Sequence, residues 1–92
     1  MLIKKAVNAG TLESCDIHIS IEPSEKKEIF ITSSVEKQYG KRIKQIIEET
    51  LDELEVENVR LNAVDRGALD CTIKARVMTA IQRSSEEKLE IK

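Results

Sequence analysis

Residues 10–21, GTLESCDIHISI, pass from a small polar loop directly into a strand, and this change organises the rest of the chain. Ile17, Ile19 and Ile21 alternate with polar residues, which is the period-two pattern of a strand that buries one face. The loop before the strand contains a flexible Gly10 and a hydroxyl, Ser14. We therefore expect this segment to expose Ser14 on a mobile loop beside a rigid strand.

The sequence alone does not indicate that Ser14 is a nucleophile. The only histidine, His18, is four residues further on, about 13 Å away in an extended chain that rises about 3.3 Å per residue. An independent hydrolase needs a base and an oxyanion hole, and the sequence indicates neither. From the residues alone, Ser14 is one of several loop serines.

The next segments predict a hairpin and a helix. Residues 23–27 break the first strand, and residues 28–32 begin a second, which predicts an antiparallel hairpin. Ser33 and Glu36 match a capping box at a helix start. Gly40 lies inside the helix, where we expect a kink or a close approach by another backbone. The apolar positions of this amphipathic helix recur at three- and four-residue steps: Tyr39, Ile43, Ile46, Ile47, Leu51 and Leu54.

The last third of the chain predicts a second hairpin followed by a helix. Residues 58–64 and 68–73 alternate on either side of a turn at residues 65–67. Cys71 is in phase with the apolar residues of the second strand, so we expect it in the core. A helical stripe then follows: Ile73, Val77, Met78 and Ile81. Residues 84–92 have no packing pattern and are expected to be a mobile tail.

These elements predict an α+β fold in which an antiparallel sheet of two β-hairpins packs on two helices, in the order ββαββα. Residues 3–9 are expected to form an edge strand or an ordered arm. The 92 residues are sufficient for one domain, residues 1–92, with no room for a second core. Aromatic residues are nearly absent, so the core must be built from isoleucine, leucine and valine.

Composition excludes several classes of function. With 40% apolar and 35% charged residues the chain is globular. A net charge of -2 and the lack of aromatic stacking residues argue against nucleic-acid binding. Neither a signal peptide nor a membrane span is visible, so we expect a cytoplasmic protein. Two cysteines do not make a disulfide framework, and both are expected to remain thiols.

Other residues around Ser14 offer little independent chemistry. Cys15 and His18 are too few for a zinc site, which takes four ligands or three plus water. The neighbours of Cys15, Glu13 and Asp16, favour its protonated thiol. The same two carboxylates could meet basic grooves on partner enzymes. The three glycines are isolated, so no phosphate-binding loop is present.

Three blocks of sequence carry a resemblance to a known family: residues 10–14 (GTLES), 33–40 (SSVEKQYG) and 67–71 (GALDC). Together they resemble the acyl carrier protein, or gamma subunit, of citrate lyase, in the order and spacing of that family across nearly the whole chain. A weaker resemblance is to the carrier subunit of malonate decarboxylase. Where the relatives often have glycine after the serine, this chain has Cys15.

The resemblance implies that Ser14 carries 2′-(5″-phosphoribosyl)-3′-dephospho-coenzyme A through a phosphodiester, installed by a holo-carrier synthase. The terminal thiol would bear acetyl, which a transferase (alpha) subunit exchanges for citryl. A lyase (beta) subunit would then release oxaloacetate. The chain itself would be a non-catalytic subunit, with no metal and no nucleic-acid or membrane partner.

Two alternatives remain open. The chain is a carrier of a malonate decarboxylase-like complex, or it is an unmodified small protein-docking domain. In the second case the helix surface would bind the partner through Lys37, Lys41, Lys44 and Glu48.

Overall fold

Four strands and two helices follow one another along the part of the chain that the structure, a computed structural model, describes: residues 1–33 and 37–85. They are β1 Val7–Gly10, β2 Ile17–Pro23, β3 Glu28–Ser33, α1 Lys37–Glu53, β4 Val59–Asp65 and α2 Asp70–Ser85. The α+β class and the single small domain are as predicted. The order is βββαβα, however, rather than ββαββα.

The sheet has the strand order β1-β2-β4-β3, so β4 lies between the two strands that were predicted to form the first hairpin. β2 runs antiparallel to β4, and β3 runs parallel to it. Ala63 of β4 thus faces Ile19 on one side and Ile31 on the other. The predicted pairing of residues 17–21 with 28–32 is wrong. Parallel strands need a long crossover connection, and α1 provides it between β3 and β4.

Residues 68–73 form a turn and the start of α2, so the predicted second hairpin is wrong. The carbonyl of Leu69 accepts hydrogen bonds from the N–H groups of Thr72 and Ile73, both at 3.0 Å. Asp70 opens the helix, where a carboxylate is favoured by the positive end of the helix dipole. Cys71 is consequently exposed. Its predicted place in the core is wrong because the apolar stripe that continues from Ile73 requires helical spacing.

The core lies between one face of the sheet and the two helices. α2 packs on β1 and β2, α1 packs on β3, and the two helices contact each other. Fully buried isoleucine and leucine side chains each contribute about 1.5–3 kcal/mol. The largest of these are Ile17, Ile19, Ile47, Leu51, Leu61, Ile73 and Ile81.

The predicted apolar face of α1 is confirmed where the structure describes it. Ile43, Ile46, Ile47 and Leu51 are buried, while the side chain of Tyr39 lies outside the described residues. The helix is continuous through Gly40, and within the described part of the chain nothing outside the helix's own backbone would lie within 4 Å of a Cβ added there. The expected close approach at Gly40 is therefore wrong.

The link between β3 and the turn before α2 depends on a buried carboxylate. Asp65, only 2% exposed, accepts hydrogen bonds from the Ser33 hydroxyl at 3.1 Å and from the Ala68 N–H at 3.0 Å. Ser33 is the last residue of β3. Glu36, the other half of the predicted capping box, lies outside the described residues.

The last residues of α2 are part of the packed structure. Ser84 and Ser85 are both buried, and the Ser84 hydroxyl donates to the carbonyl of Lys5 at 2.6 Å. The main-chain N–H of Lys4 also donates to the Ser84 carbonyl at 3.3 Å. The predicted mobile tail is wrong for these two serines, and residues 86–92 lie outside the described residues. The same contacts make residues 4–5 an ordered arm, as expected, that leads into β1.

Neither helix in the described ranges has the length and apolar content needed to cross a membrane.

Candidate functional site

Residues 11–16 connect β1 to β2 at the end of the sheet, and the sharp bend that starts this loop depends on Gly10. Its φ is +88°, a region that residues with a Cβ rarely adopt. Gly10 is paired with His18 across the two strands. A Cβ at position 10 would overlap the carbonyl oxygen of Ile17 and lie 3.3 Å from Cδ of Arg76. The loop can therefore begin here only with glycine.

The carboxylate of Asp16 holds the loop together. It accepts hydrogen bonds from the Thr11 hydroxyl at 2.7 Å and from the Ile17 N–H at 2.7 Å. Arg76 of α2 donates to it through Nε at 3.1 Å and Nη2 at 2.8 Å. The Asp16 side chain is only 13% exposed. Two charge-assisted bonds from one guanidinium fix direction as well as distance, so the loop is fastened to α2.

The loop is also fastened to the turn that follows β4, through a β-bulge. The Cys15 N–H donates to the Arg66 carbonyl at 2.8 Å, and the Arg66 N–H donates to the Asp16 carbonyl at 2.9 Å. Cys15 and Asp16 thus lie opposite the single residue Arg66. Cys15 has a φ of +62°, as expected of the first residue of the bulge type in which glycine normally takes that place. This geometry explains why a glycine after the serine suits the loop.

Ser14 takes no part in the contacts that hold this loop among the described residues. It is exposed, and within residues 1–33 and 37–85 its hydroxyl has no hydrogen-bond partner. Its neighbour Glu13 is tied to the framework by its main chain, since the Glu13 N–H donates to the Thr11 hydroxyl oxygen at 3.2 Å. The loop carries more fixed contacts than the sequence indicates, and it presents an accessible hydroxyl in a defined place.

The other residues singled out in the sequence have different positions. His18 is half-buried in β2, opposite Val64, and makes no hydrogen bond to Ser14. The described residues contain no group of three or more histidine, cysteine, aspartate or glutamate side chains that could hold a metal ion. Asp16 is engaged by Arg76, so of the two carboxylates predicted to meet basic grooves on partner enzymes, Glu13 is the exposed one.

Arg76 and Arg66 contact this loop, and no motif in the sequence indicates either contact. Arg76 lies 60 residues from Asp16 along the chain, and no local pattern connects the two. Arg66 was interpreted only as a turn residue. Thr11 stands inside the quoted loop, five residues before Asp16, and a threonine so close to an aspartate was the one available signal.

The ion pair makes the stability of the fold dependent on pH. The hydrogen bond from Arg76, followed by that from Thr11, lowers the pKa of Asp16 from 3.8 to about 2. A lowered pKa in the folded state stabilises the fold above the unfolded pKa, and the contribution is lost as the pH falls towards 2. At about 1.36 kcal/mol per pKa unit, this contribution is about 2 kcal/mol.

We expect urea denaturation to show this loss by comparison with Asp16→Asn. The wild-type chain should be more stable than the variant at pH 7, and the difference should shrink between pH 4 and pH 2. A difference that stays constant over this range would contradict the assigned ion pair.

A second expected result concerns the bulge. Cys15→Gly should raise the free energy of unfolding by about 0.5–1 kcal/mol, because glycine removes a left-handed strain of about 1–2 kcal/mol but costs part of that gain in backbone entropy. Cys15→Ala removes the thiol and keeps the Cβ, so it should give no gain. Equal stability of the two variants in thermal denaturation would show that the backbone at this position is not strained.

Comparisons with known proteins agree with this structure. The family model for the acyl carrier protein described as malonate decarboxylase delta subunit (MdcD) matches residues 4–84. The citrate lyase acyl carrier protein of Treponema denticola is 51% identical over 87 residues, covering 95% of this chain and 100% of the relative. That of Lacticaseibacillus casei is 52% identical over 89 residues, covering 96% and 88%.

The fold is shared with a solved structure. A chain in the crystal structure of a Pseudomonas malonate decarboxylase hetero-tetramer in complex with malonate superimposes with a TM-score of 0.76. The match covers 88% of this chain and 84% of that chain at 19% identity. The protein is far more similar in sequence to the two citrate lyase carriers, at 51% and 52% identity, than to that malonate decarboxylase chain. The protein therefore belongs to the citrate lyase acyl carrier protein family.

Proposed function

We propose that the chain is the non-catalytic acyl carrier subunit of a citrate lyase that cleaves citrate to acetate and oxaloacetate. Ser14 is the attachment residue and carries 2′-(5″-phosphoribosyl)-3′-dephospho-coenzyme A through a phosphodiester. The observation that carries this proposal is the exposed Ser14 hydroxyl, which has no partner among the described residues and stands on a loop fixed by Asp16 and Arg76.

The residues present fit such a group. A phosphodiester needs an accessible oxygen for attachment, and a nearby cation stabilises its charge. Ser14 offers the first, and the exposed side chain of Arg66 lies in the turn that is bonded to the Ser14 loop. Thr11 does not compete for attachment, because its hydroxyl is engaged with Asp16 at 2.7 Å.

In this function the chain holds the prosthetic group, positions it and presents it to the partner subunits. The group supplies a terminal thiol that accepts an acyl unit. The protein keeps the attachment point at a fixed place on one end of the sheet, through Gly10 on one side and the bulge at Cys15 on the other. Tethering makes transfer between active sites effectively intramolecular, because the arm sets a high local concentration. No residue of this chain makes or breaks a bond of the substrate.

The proposed partners follow from this role. A transferase (alpha) subunit and a lyase (beta) subunit would act in turn on the carried group, and a holo-carrier synthase would install it in the cytoplasm. The solved relative belongs to a malonate decarboxylase hetero-tetramer, which supports membership of a multi-subunit complex.

A second candidate is the carrier subunit of a malonate decarboxylase. The name of the matching family model favours it, whereas the relatives at about half identity favour citrate. The complex isolated through this chain from its native host should form oxaloacetate from citrate and should release no carbon dioxide from malonate. Turnover of malonate without turnover of citrate would assign the second function.

A further inference from the structure

Among the residues that the structure describes, Arg66 differs from the other arginines because its side chain has no partner. The guanidinium of each of the others is engaged: Arg42 with Asp70, Arg60 with Glu22 and Glu28, Arg76 with Asp16, and Arg83 with the carbonyl of Asn8. Among the described residues, no hydrogen bond or ion pair holds the side chain of Arg66, and it is exposed. An arginine without a partner has five donors available for a ligand.

The main chain places Arg66 beside the attachment residue. Its carbonyl and N–H groups bond to Cys15 and Asp16 at 2.8 and 2.9 Å. Residues that face each other across strands have Cα atoms about 5 Å apart, and consecutive Cα atoms are about 3.8 Å apart. The Cα atoms of Ser14 and Arg66 are therefore within about 9 Å, a span that an extended arginine side chain and a phosphate on a serine oxygen can close together.

Of the two arginines that bond to the Ser14 loop in the described part of the chain, Arg66 is the one whose side chain has no partner. Glu13 is an exposed anion next to Ser14 in the chain. Asp16 is balanced by Arg76, whose Nε and Nη2 are both committed to it. A phosphodiester on Ser14 would add a further negative charge between these carboxylates. A positive group that no other contact has already engaged would stabilise this charge.

We propose that Arg66 is the binding residue for the phosphodiester on Ser14, and that its guanidinium donates to the non-bridging phosphate oxygens. This inference rests on the proposed function. A planar guanidinium matches a phosphate with two parallel hydrogen bonds, which a lysine ammonium cannot do. The contact restrains the root of the arm, while the remainder of the arm stays free to reach partner active sites.

The Nε–H signal of Arg66 tests this contact directly, by NMR of the chain labelled with nitrogen-15 arginine. The holo chain carries the group at Ser14, as verified by intact mass and fragmentation. The apo chain is produced without the modifying enzyme. In the holo chain we expect the Arg66 signal to shift and its exchange with water to slow several-fold. The signals of Arg42 and Arg83, whose partners are already fixed, should not change.

Two variants of Arg66 separate the effect of its positive charge from the effect of the planar guanidinium. In holo Arg66→Gln the phosphorus-31 line of the phosphodiester should narrow, because the phosphate is released from the protein surface. The phosphorus-31 line width of holo Arg66→Lys should lie between those of holo Arg66→Gln and the wild type. The control Arg60→Gln, which removes exposed ion pairs near the opposite end of β4, should leave the line unchanged.

The outcomes distinguish this inference from the proposed function. A verified adduct on Ser14 with an unchanged Arg66 signal and an unchanged phosphorus line in Arg66→Gln overturns the role of Arg66 and leaves the carrier function intact. A native chain in an active complex with no adduct on Ser14 overturns both.

Discussion

Ser14→Ala should reduce the citrate-cleaving activity of the complex to the background of the assay and leave the carrier folded. The hydroxyl is exposed and has no hydrogen-bond partner among the described residues, so its removal costs no packing or bonding. The free energy of unfolding should change by less than about 0.5 kcal/mol. Activity of the reconstituted complex and thermal denaturation of the isolated variant measure the two effects.

The matched control is Ser24→Ala in the loop between β2 and β3, which should retain full activity. The alternative function, a docking domain that uses the surface of α1, predicts the opposite pattern. In that case Ser14→Ala would be active, and substitution of Lys41, Lys44 and Glu48 would abolish activity. These three side chains are exposed, with Lys44 and Glu48 separated by 3.9 Å. Full activity of Ser14→Ala would therefore contradict the carrier role.

Gly10→Ala should be the most destabilising exchange in the loop framework. The added Cβ would overlap the main chain of Ile17 at a residue whose φ is +88°. Relief requires β1 to move away from β2 at the entry to the loop. Overpacking costs about 1–3 kcal/mol, and the left-handed backbone adds about 1–2 kcal/mol. We expect a loss of about 2–5 kcal/mol, and a fall of the midpoint of thermal denaturation by roughly 10 °C or more.

Gly67→Ala provides the matched control for this exchange. Gly67 has nearly the same backbone, with a φ of +92°, but within the described part of the chain nothing lies within 4 Å of the added Cβ. Its substitution should cost only the backbone part, about 1–2 kcal/mol. Equal losses at Gly10 and Gly67 would show that the close approach of Ile17 does not constrain the start of the loop.

The sequence was sufficient to predict β2, β3, β4 and α1, but it did not predict which strands are neighbours. The alternation of Ile17, Ile19 and Ile21 correctly predicted β2, since a period of two depends only on one strand and one buried face. Pairing depends on the whole sheet. β4 buries Val59, Leu61 and Ala63 and accepts a neighbour on both sides, so it separates the two strands that are adjacent in sequence.

The start of α2 illustrates a second limit. Leu69, Cys71 and Ile73 fit a strand as well as Ile73, Val77 and Ile81 fit a helix, and a short apolar run cannot decide between the two periods. The helical pattern extends over more residues, and the structure has a helix there. The contacts of the loop depend on residues that are far apart in sequence. Ser14 was singled out by the family resemblance of its loop, and its role stays a prediction, whereas Arg76, 60 residues from Asp16, was not predicted.

The central claim is that Ser14 carries the prosthetic group, and the intact mass of the chain purified from its native host in active complex tests it most directly. Fragmentation then locates any adduct within residues 10–16. The account predicts an increment equal to phosphoribosyl-dephospho-coenzyme A on Ser14 in the wild type, and none in Ser14→Ala. An unmodified chain in a complex that cleaves citrate would contradict the account.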